Sequence, residues 1–274
     1  MKNLLILFII STLTFAAIAQ NVNKNTNHGF RLECPAESTD TNVIYREYWT
    51  GDTLTFAYEY NCSLRANVWV AFQMHPGNAD IVTYRYTGDF VADDSIPEAY
   101  QVQPTEYKAK KFDCGHICAS ADRFYSRAAN KQTFICGSNS HPQYKKHNVM
   151  TWKRIENHLQ NKLNLNYFRD TLYVVKGATI YDPLTLGKNS DSLIVPGYWF
   201  CAILCVKDGE YKAGAFLTKH TNTRYSVFHI RDRMISIDSL ETFTGYDFFC
   251  NLPDSIEDAV EAVCDTTQWG KFAE

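Results

Sequence analysis

The chain has 274 residues, 45% apolar and 21% charged, enough to bury a sizeable core in one large domain or two small ones. That balance excludes disorder, collagen and long coiled coil, and 17 Tyr, 17 Phe and 5 Trp favour the pleated, half-buried surfaces of a strand-rich fold. A formal net charge of −3 argues against a polyanion-binding surface over the molecule as a whole.

Residues 1–19 read as a secretory signal peptide: Lys2 gives a positive start, Leu4 to Ile10 form an apolar run, and Ala17-Ile18-Ala19 supplies a small-residue cleavage site. The mature chain is then expected to begin near Gln20 and to be secreted, into the periplasm or the medium. No later stretch approaches 18 apolar residues, so no membrane span is expected. Asn21 to Asn27 is polar, and residues 20–48 are assigned to an N-terminal leader, with one α+β domain over 49–274.

Thr53 to Tyr60, Asn67 to Met74 and Leu172 to Gly177 alternate with period two or run apolar, which predicts strands. Tyr198 to Val206 and Lys212 to Lys219 flank Asp208-Gly209, a hairpin signature. Trp152, Ile155, Leu159 and Leu163 fall at steps of 3, 4 and 4 and predict a helix over 151–163. A second helix is predicted over 255–264, capped by Ser255. The nine cysteines of an exported chain point to disulfides with at least one thiol unpaired; their connectivity is not written in the sequence, and Cys250–Cys264, flanking the final segment, is the bridge expected to staple the C-terminus.

Charge is unevenly spread. Between Lys108 and Lys162 there are eleven Lys/Arg against Asp113, Asp122 and Glu156, either a solvated basic face or a patch that attracts phosphate. Inside this window lie Asp113-Cys114-Gly115-His116, Ser138-Asn139, Gln143, Asn148 and Glu156. An imidazole works as a base near neutral pH, and Asn and Glu oxygens suit a hard ion such as Mg²⁺. Eight residues of regular helix rise ~12 Å, so Asn148 and Glu156 are not expected both to touch one ion directly. Cys114-x-His116-x-Cys118, with Cys136, is also compatible with zinc.

Taken together, Asp113-Cys-Gly-His116 with Ala121-Asp122-Arg123, Ser138-Asn139-x-x-Pro142-Gln143, Asn148-x-x-x-Trp152 and Ile155-Glu156 resemble the DNA/RNA non-specific endonucleases, an endonuclease G-like branch of the ββα-metal superfamily. Asp89-Phe90-x-x-Asp93, Tyr173-Val-Val-x-Gly177 and Glu241-Thr-Phe-Thr-Gly245 extend the likeness over roughly residues 50 to 255. The resemblance implies a central antiparallel sheet with a ββα-metal element. It implies His116 as general base, Asn148 as the single direct ligand of Mg²⁺ (or Mn²⁺), Glu156 as the carboxylate orienting that ion, and Asn139 as a catalytic support. Asp113, Gln143, Arg85, Arg123 and Arg127 are the expected substrate-binding residues, and DNA and RNA the expected partners. Cys114 stands where the family writes arginine, and Ala119 where it writes proline. A catalytically weak relative that binds nucleic acid or another polyanion is therefore the alternative expectation.

Overall fold

The period-two segments become the middle of one antiparallel sheet. The computed structural model describes residues 28–79, 85–107, 112–223 and 229–272, so the expected signal segment, Asn21 to Asn27 and Lys108, Lys110 and Lys111 lie outside the described residues. Its strands are β1 (Val43–Thr50), β2 (Thr53–Asn61), β3 (Ala66–Met74), β4 (Phe112–His116), β5 (Ser140–Tyr144), β6 (Thr171–Ala178), β7 (Thr185–Lys188), β8 (Ile194–Pro196), β9 (Tyr198–Lys207), β10 (Glu210–Lys219) and β11 (Met234–Ile235). Its α-helices are α1 (Pro76–Ala79), α2 (Arg127–Gln132), α3 (Lys153–His158), α4 (Ile237–Thr244) and α5 (Asp254–Glu261). Seven strands form the main sheet in the order β1-β2-β3-β6-β9-β10-β11, every neighbour antiparallel. The expected α+β architecture with a central antiparallel sheet is what the chain adopts.

Asp208 and Gly209 both take positive φ, 51° and 83°, the backbone a two-residue hairpin between right-twisted strands requires. β1 starts at Val43, inside the stretch assigned to a leader, and forms the outer edge of the sheet. Its residues are nearly all half-buried, so no alternation marks it in the sequence.

The sheet is covered on both faces. On one, Phe56, Tyr58, Phe72, Val174, Cys201 and Ile203 pack against Trp152, Ile155, Leu159 and Leu163, all four fully buried as the helical stripe requires. That helix begins earlier than predicted, with π-helical turns at His147–Trp152 and Leu159–Leu163 on either side of α3. On the other face, Trp69, Val175, Phe200, Ala202 and Leu204 meet Ile237 and Leu240 of α4, with Ile256 and Val260 of α5 packed against them. α5 starts at Asp254 with Pro253 in the cap position, so Ser255 is a helical residue rather than the cap.

No disulfide joins any of the nine cysteines. Cys250 packs against the carbonyl of Cys34, whereas Cys264 packs with the cluster on the opposite face of the sheet, so the expected Cys250–Cys264 bridge does not form. Among the described residues no helix is long and apolar enough to cross a membrane.

Behind β5, three histidines are locked neutral. The His147 Nδ1 accepts from the Gln143 amide at 2.8 Å, and its Nε2–H donates to Thr218 Oγ1 at 3.1 Å. His220 donates to the Pro196 carbonyl and accepts from the Tyr144 N–H, each at 2.7 Å, while His141 donates to the Asn67 carbonyl at 3.1 Å. Burial, and then the neighbouring His220, holds His147 down at about 3. The unfolded chain, with its histidine near ~6.5, takes up a proton that the folded chain refuses, so this residue costs stability as pH falls from ~6.5 towards 3. Urea unfolding of His147→Gln is expected to lose ~1.4 kcal/mol per pH unit of the wild-type slope across that window. Equal slopes for the two proteins would show that His147 is protonated in the fold.

Candidate active site

β4 and β5 form a separate two-stranded hairpin, Cys114 opposite Pro142 and His116 opposite Ser140, and the chain runs from β5 directly into the long helix. This is the ββα element. Gly115 is obligatory within it: a Cβ there would fall 2.5 Å from the Gln143 Cβ and 2.3 Å from its Oε1. Gln143 therefore lies across β4, and its amide reaches His147 rather than the site.

Asn139 fastens the segment that follows the histidine. Its Oδ1 accepts from the Cys118 N–H at 2.8 Å, and its Nδ2 donates to the carbonyls of Cys118 at 3.0 Å and Thr133 at 2.7 Å. All of its polar capacity goes to backbone, so it positions His116 from behind without lining the site. A buried ion pair lies beneath. Lys176 Nζ donates to Asp122 Oδ2 at 2.6 Å, and the same carboxylate accepts from the Ala119 N–H and, through Oδ1, from Gln160 Nε2, each at 2.9 Å.

These supports leave an open pocket of about 450 Å³ lined by Arg85, His116, Ser120, Asn148, Lys153 and Glu156, with Ala119, Ala121, Phe124 and Val149 as its apolar wall. The His116 ring is wedged between Phe90 at 4.7 Å and Phe134 at 4.9 Å, and its buried Nε2 has no hydrogen-bond partner among the described residues. Burial, then the Arg85 charge, brings the imidazole down to about 4, so it is neutral at pH 7. Glu156 is shifted upward by burial above all, with Lys176 opposing. Lys153 Nζ lies 3.8 Å from it.

Asn148 Nδ2 donates to Asp113 Oδ2 at 3.1 Å. A carboxylate only accepts, so this bond fixes the amide with Oδ1 turned away from Asp113. Asn148 sits in the π-helical turn, whose wider i→i+5 winding departs from the regular geometry that separated it from Glu156, and both now line one pocket. An amide oxygen and a carboxylate beside an unpartnered imidazole are the donors a hard divalent ion takes, so the residues present fit Mg²⁺.

Of the expected residues, the structure brings together His116, Asn148, Glu156 and Arg85, with Asp113 and Asn139 behind them. Gln143 is fully buried outside the pocket. Arg123 is not a surface contact: it is fully buried, its guanidinium 4.3 Å from the Phe72 ring and bonded to the Gln73 carbonyl at 3.0 Å, because its turn directs the side chain onto the sheet. Arg127 is exposed at the start of α2 and does not line the pocket. Cys114 packs beside Val102, Tyr107, Cys136 and Leu193, and burial pushes its thiol well above the ordinary value. His116 and the cysteines near it do not form a zinc cluster: among the described residues, the only three-ligand group is Asp238, Glu241 and Glu261. Sequence reasoning missed Lys153, which stands three residues before Glu156 on the predicted helix. It also missed Lys176, whose signal was a lysine inside an otherwise apolar strand.

A sequence model of the family described as DNA/RNA non-specific endonuclease matches residues 41–255. A nuclease of Nostoc sp. is 29% identical over 224 residues, covering 77% of this chain and 76% of its own length. Human mitochondrial endonuclease G is 26% identical over 210 residues, covering 70% of this chain and 67% of its own. A solved structure described as an EndoG/EndoGI complex is similar at a TM-score of 0.63 and 20% identity, over 75% of this chain and 86% of that one, which shows a shared fold. With the family match extending over most of its length, and the ββα element built as the motif blocks implied, the chain belongs to the DNA/RNA non-specific endonucleases, enzymes that hydrolyse phosphodiester bonds.

Proposed function

We propose that this chain is an exported, sugar-non-specific endonuclease acting on DNA and RNA, with His116 as general base and one Mg²⁺ (or Mn²⁺) held by Asn148 and oriented by Glu156. The observation that carries this reading is the unpartnered His116 Nε2, facing one pocket with Arg85, Lys153, Asn148 and Glu156.

A neutral imidazole with a free Nε2 can take the proton of an attacking water as the water oxygen bonds to phosphorus and the P–O3′ bond breaks. Phe90, tilted at 48° to the ring, and Phe134, perpendicular to it at 86°, hold the imidazole from two sides, so its orientation is set before substrate arrives. Arg85 and Lys153 offer charge to the non-bridging oxygens, which replaces the cation the family places at position 114. When bound, the divalent ion supplies Lewis-acid stabilisation of the phosphoryl oxygens and the leaving oxygen. Contacts of this kind go to phosphate and sugar, which supports low base specificity and salt-sensitive binding.

Supercoiled-plasmid nicking tests the reading. Cleavage is expected with Mg²⁺ and not with EDTA, His116→Ala is expected to lose ~10²–10⁴-fold, and Asn148→Ala ~10²-fold or more. Salt-sensitive DNA binding without nicking by the folded protein would instead establish the binding-only alternative that Cys114 raises.

Arg85 carries a second, sharper expectation. Removing its charge lifts a repulsion that disfavours the imidazolium, so the His116 pKa rises and the acid limb of kcat/KM moves to higher pH. Arg85→Ala is therefore expected to lose ~10²-fold in rate and to shift that limb upward. A rate loss with an unmoved limb would place Arg85 in substrate binding alone. Export is checked separately: protein recovered outside the cytoplasm is expected to begin near Gln20, and an intact Met1 on the active protein would refute it.

A further inference from the structure

The face of the sheet away from the pocket carries a different chemistry. Between Met234 and Gly270 there are eight Asp/Glu and no Lys or Arg. Three of these carboxylates converge. Asp238 and Glu241 stand one turn apart on α4, and Glu261 closes α5. One oxygen from each lies within 4.8 Å of the other two.

Glu261 is what distinguishes this group from an ordinary acidic surface. Its side chain is only 4% exposed, and its buried Oε1 has no hydrogen-bond partner among the described residues. The charges acting on it are all of its own sign: Glu241, Glu257, Asp247 and Asp238. Glu241 is fixed in place, because its Oε1 accepts from the Phe248 N–H at 2.8 Å beyond the left-handed Gly245 that ends α4. A buried carboxylate with one unpartnered oxygen, set beside two further carboxylates, is costly unless a proton or a cation shares the space.

We propose that Asp238, Glu241 and Glu261 form a binding site for a calcium-sized divalent cation that ties the end of α5 to α4. All three donors are hard oxygens, which excludes the thiophilic metals. Oxygens that lie within 4.8 Å of one another can all reach one ion at calcium's ~2.4 Å bond length, and calcium's flexible geometry accepts ligands from two separate helices where magnesium demands a near-ideal octahedron. Water completes the shell, and a site with three protein carboxylates belongs to the weak class, with a Kd of ~10⁻⁴–10⁻³ M. Burial, and then the neighbouring carboxylates, raises Glu261 to about 9 and Glu241 to about 7, in keeping with a site built for a counter-charge.

The test uses the full chain carrying Asn148→Ala, so that ion binding in the active-site pocket is suppressed, stripped with EDTA and titrated with CaCl₂ by calorimetry and thermal unfolding. One Ca²⁺ site is expected, raising the Tm by roughly 3 °C at about ten times its Kd. Glu261→Gln in the same background is expected to weaken binding at least ~10-fold while being as stable as its parent without Ca²⁺, since it removes a strained carboxylate. If Glu261→Gln does not fold, the more accessible pair, exposed Asp238→Asn with half-buried Glu241→Gln, is expected to abolish the shift. No heat and no Tm change up to about 10 mM Ca²⁺ would overturn the proposal. So would binding that survives these substitutions, or Mg²⁺ binding more tightly than Ca²⁺.

Discussion

One buried ion pair holds the catalytic element against the sheet. Lys176 rises from β6 in the middle of the main sheet, fully buried, and meets Asp122, also fully buried, at 2.6 Å. Asp122 belongs to the turn that follows His116, and through Ala119 and Gln160 it grips both that turn and the long helix. Three elements that share no strand pairing are thereby fixed at one carboxylate. Removing one partner of such a pair leaves an uncompensated buried charge and typically costs ~3–5 kcal/mol. Asn139 does for the His116 side of the turn what Asp122 does for its far side, using three bonds to backbone.

The same lysine connects scaffold to chemistry. Its charge lowers the Glu156 carboxyl, which burial would otherwise push further up, and adds to the repulsion that keeps His116 neutral. Lys176 therefore works against the burial that disfavours an ionised Glu156, beside an imidazole kept unprotonated, the two forms that the proposed cation binding and proton abstraction need. Arg85 and Lys153 place further positive charge at the rim, facing the side from which a phosphate approaches.

How much of this could be read in advance depended on which force shapes each segment. β2, β3, β6, β9 and β10 are governed by burial on the sheet, so alternation or continuous apolarity announces them, and the stripe of Trp152, Ile155, Leu159 and Leu163 does so for the helix. The β4–β5 hairpin was legible only as chemistry. Phe-Asp-Cys-Gly-His and Ser-His-Pro-Gln-Tyr carry no hydrophobic period, because side-chain hydrogen bonds and the Gly115–Gln143 contact hold them instead. His116, Asn148, Glu156 and Arg85 converge as the motif order implied. Arg123 does not join them, since a cation in a motif carries no sign of whether it points to solvent or onto an aromatic ring. The π-helical turn carrying Asn148 has no sequence signature either.

The sheet also divides the molecule's charge. Lys145, Lys146, Arg154 and Lys162 are exposed along the helical stretch that carries the site, with exposed Lys153 at its rim. The acidic segment from Met234 to Gly270 packs α4 and α5 on the opposite face. A chain of net charge −3 would be a poor partner for a polyanion if its charge were spread evenly. Separated across an apolar core, the two signs act as a molecular dipole: the acidic face repels a nucleic acid, and the basic face draws it towards His116. Screening over ~8–10 Å at physiological salt confines that guidance to the last stage of approach, where orientation rather than capture is decided. The negative total keeps non-specific adhesion low, and the local positive field preserves productive encounter. For the phosphate-reading activity proposed above both matter, because contacts to the phosphate backbone position a nucleic acid without reading its sequence.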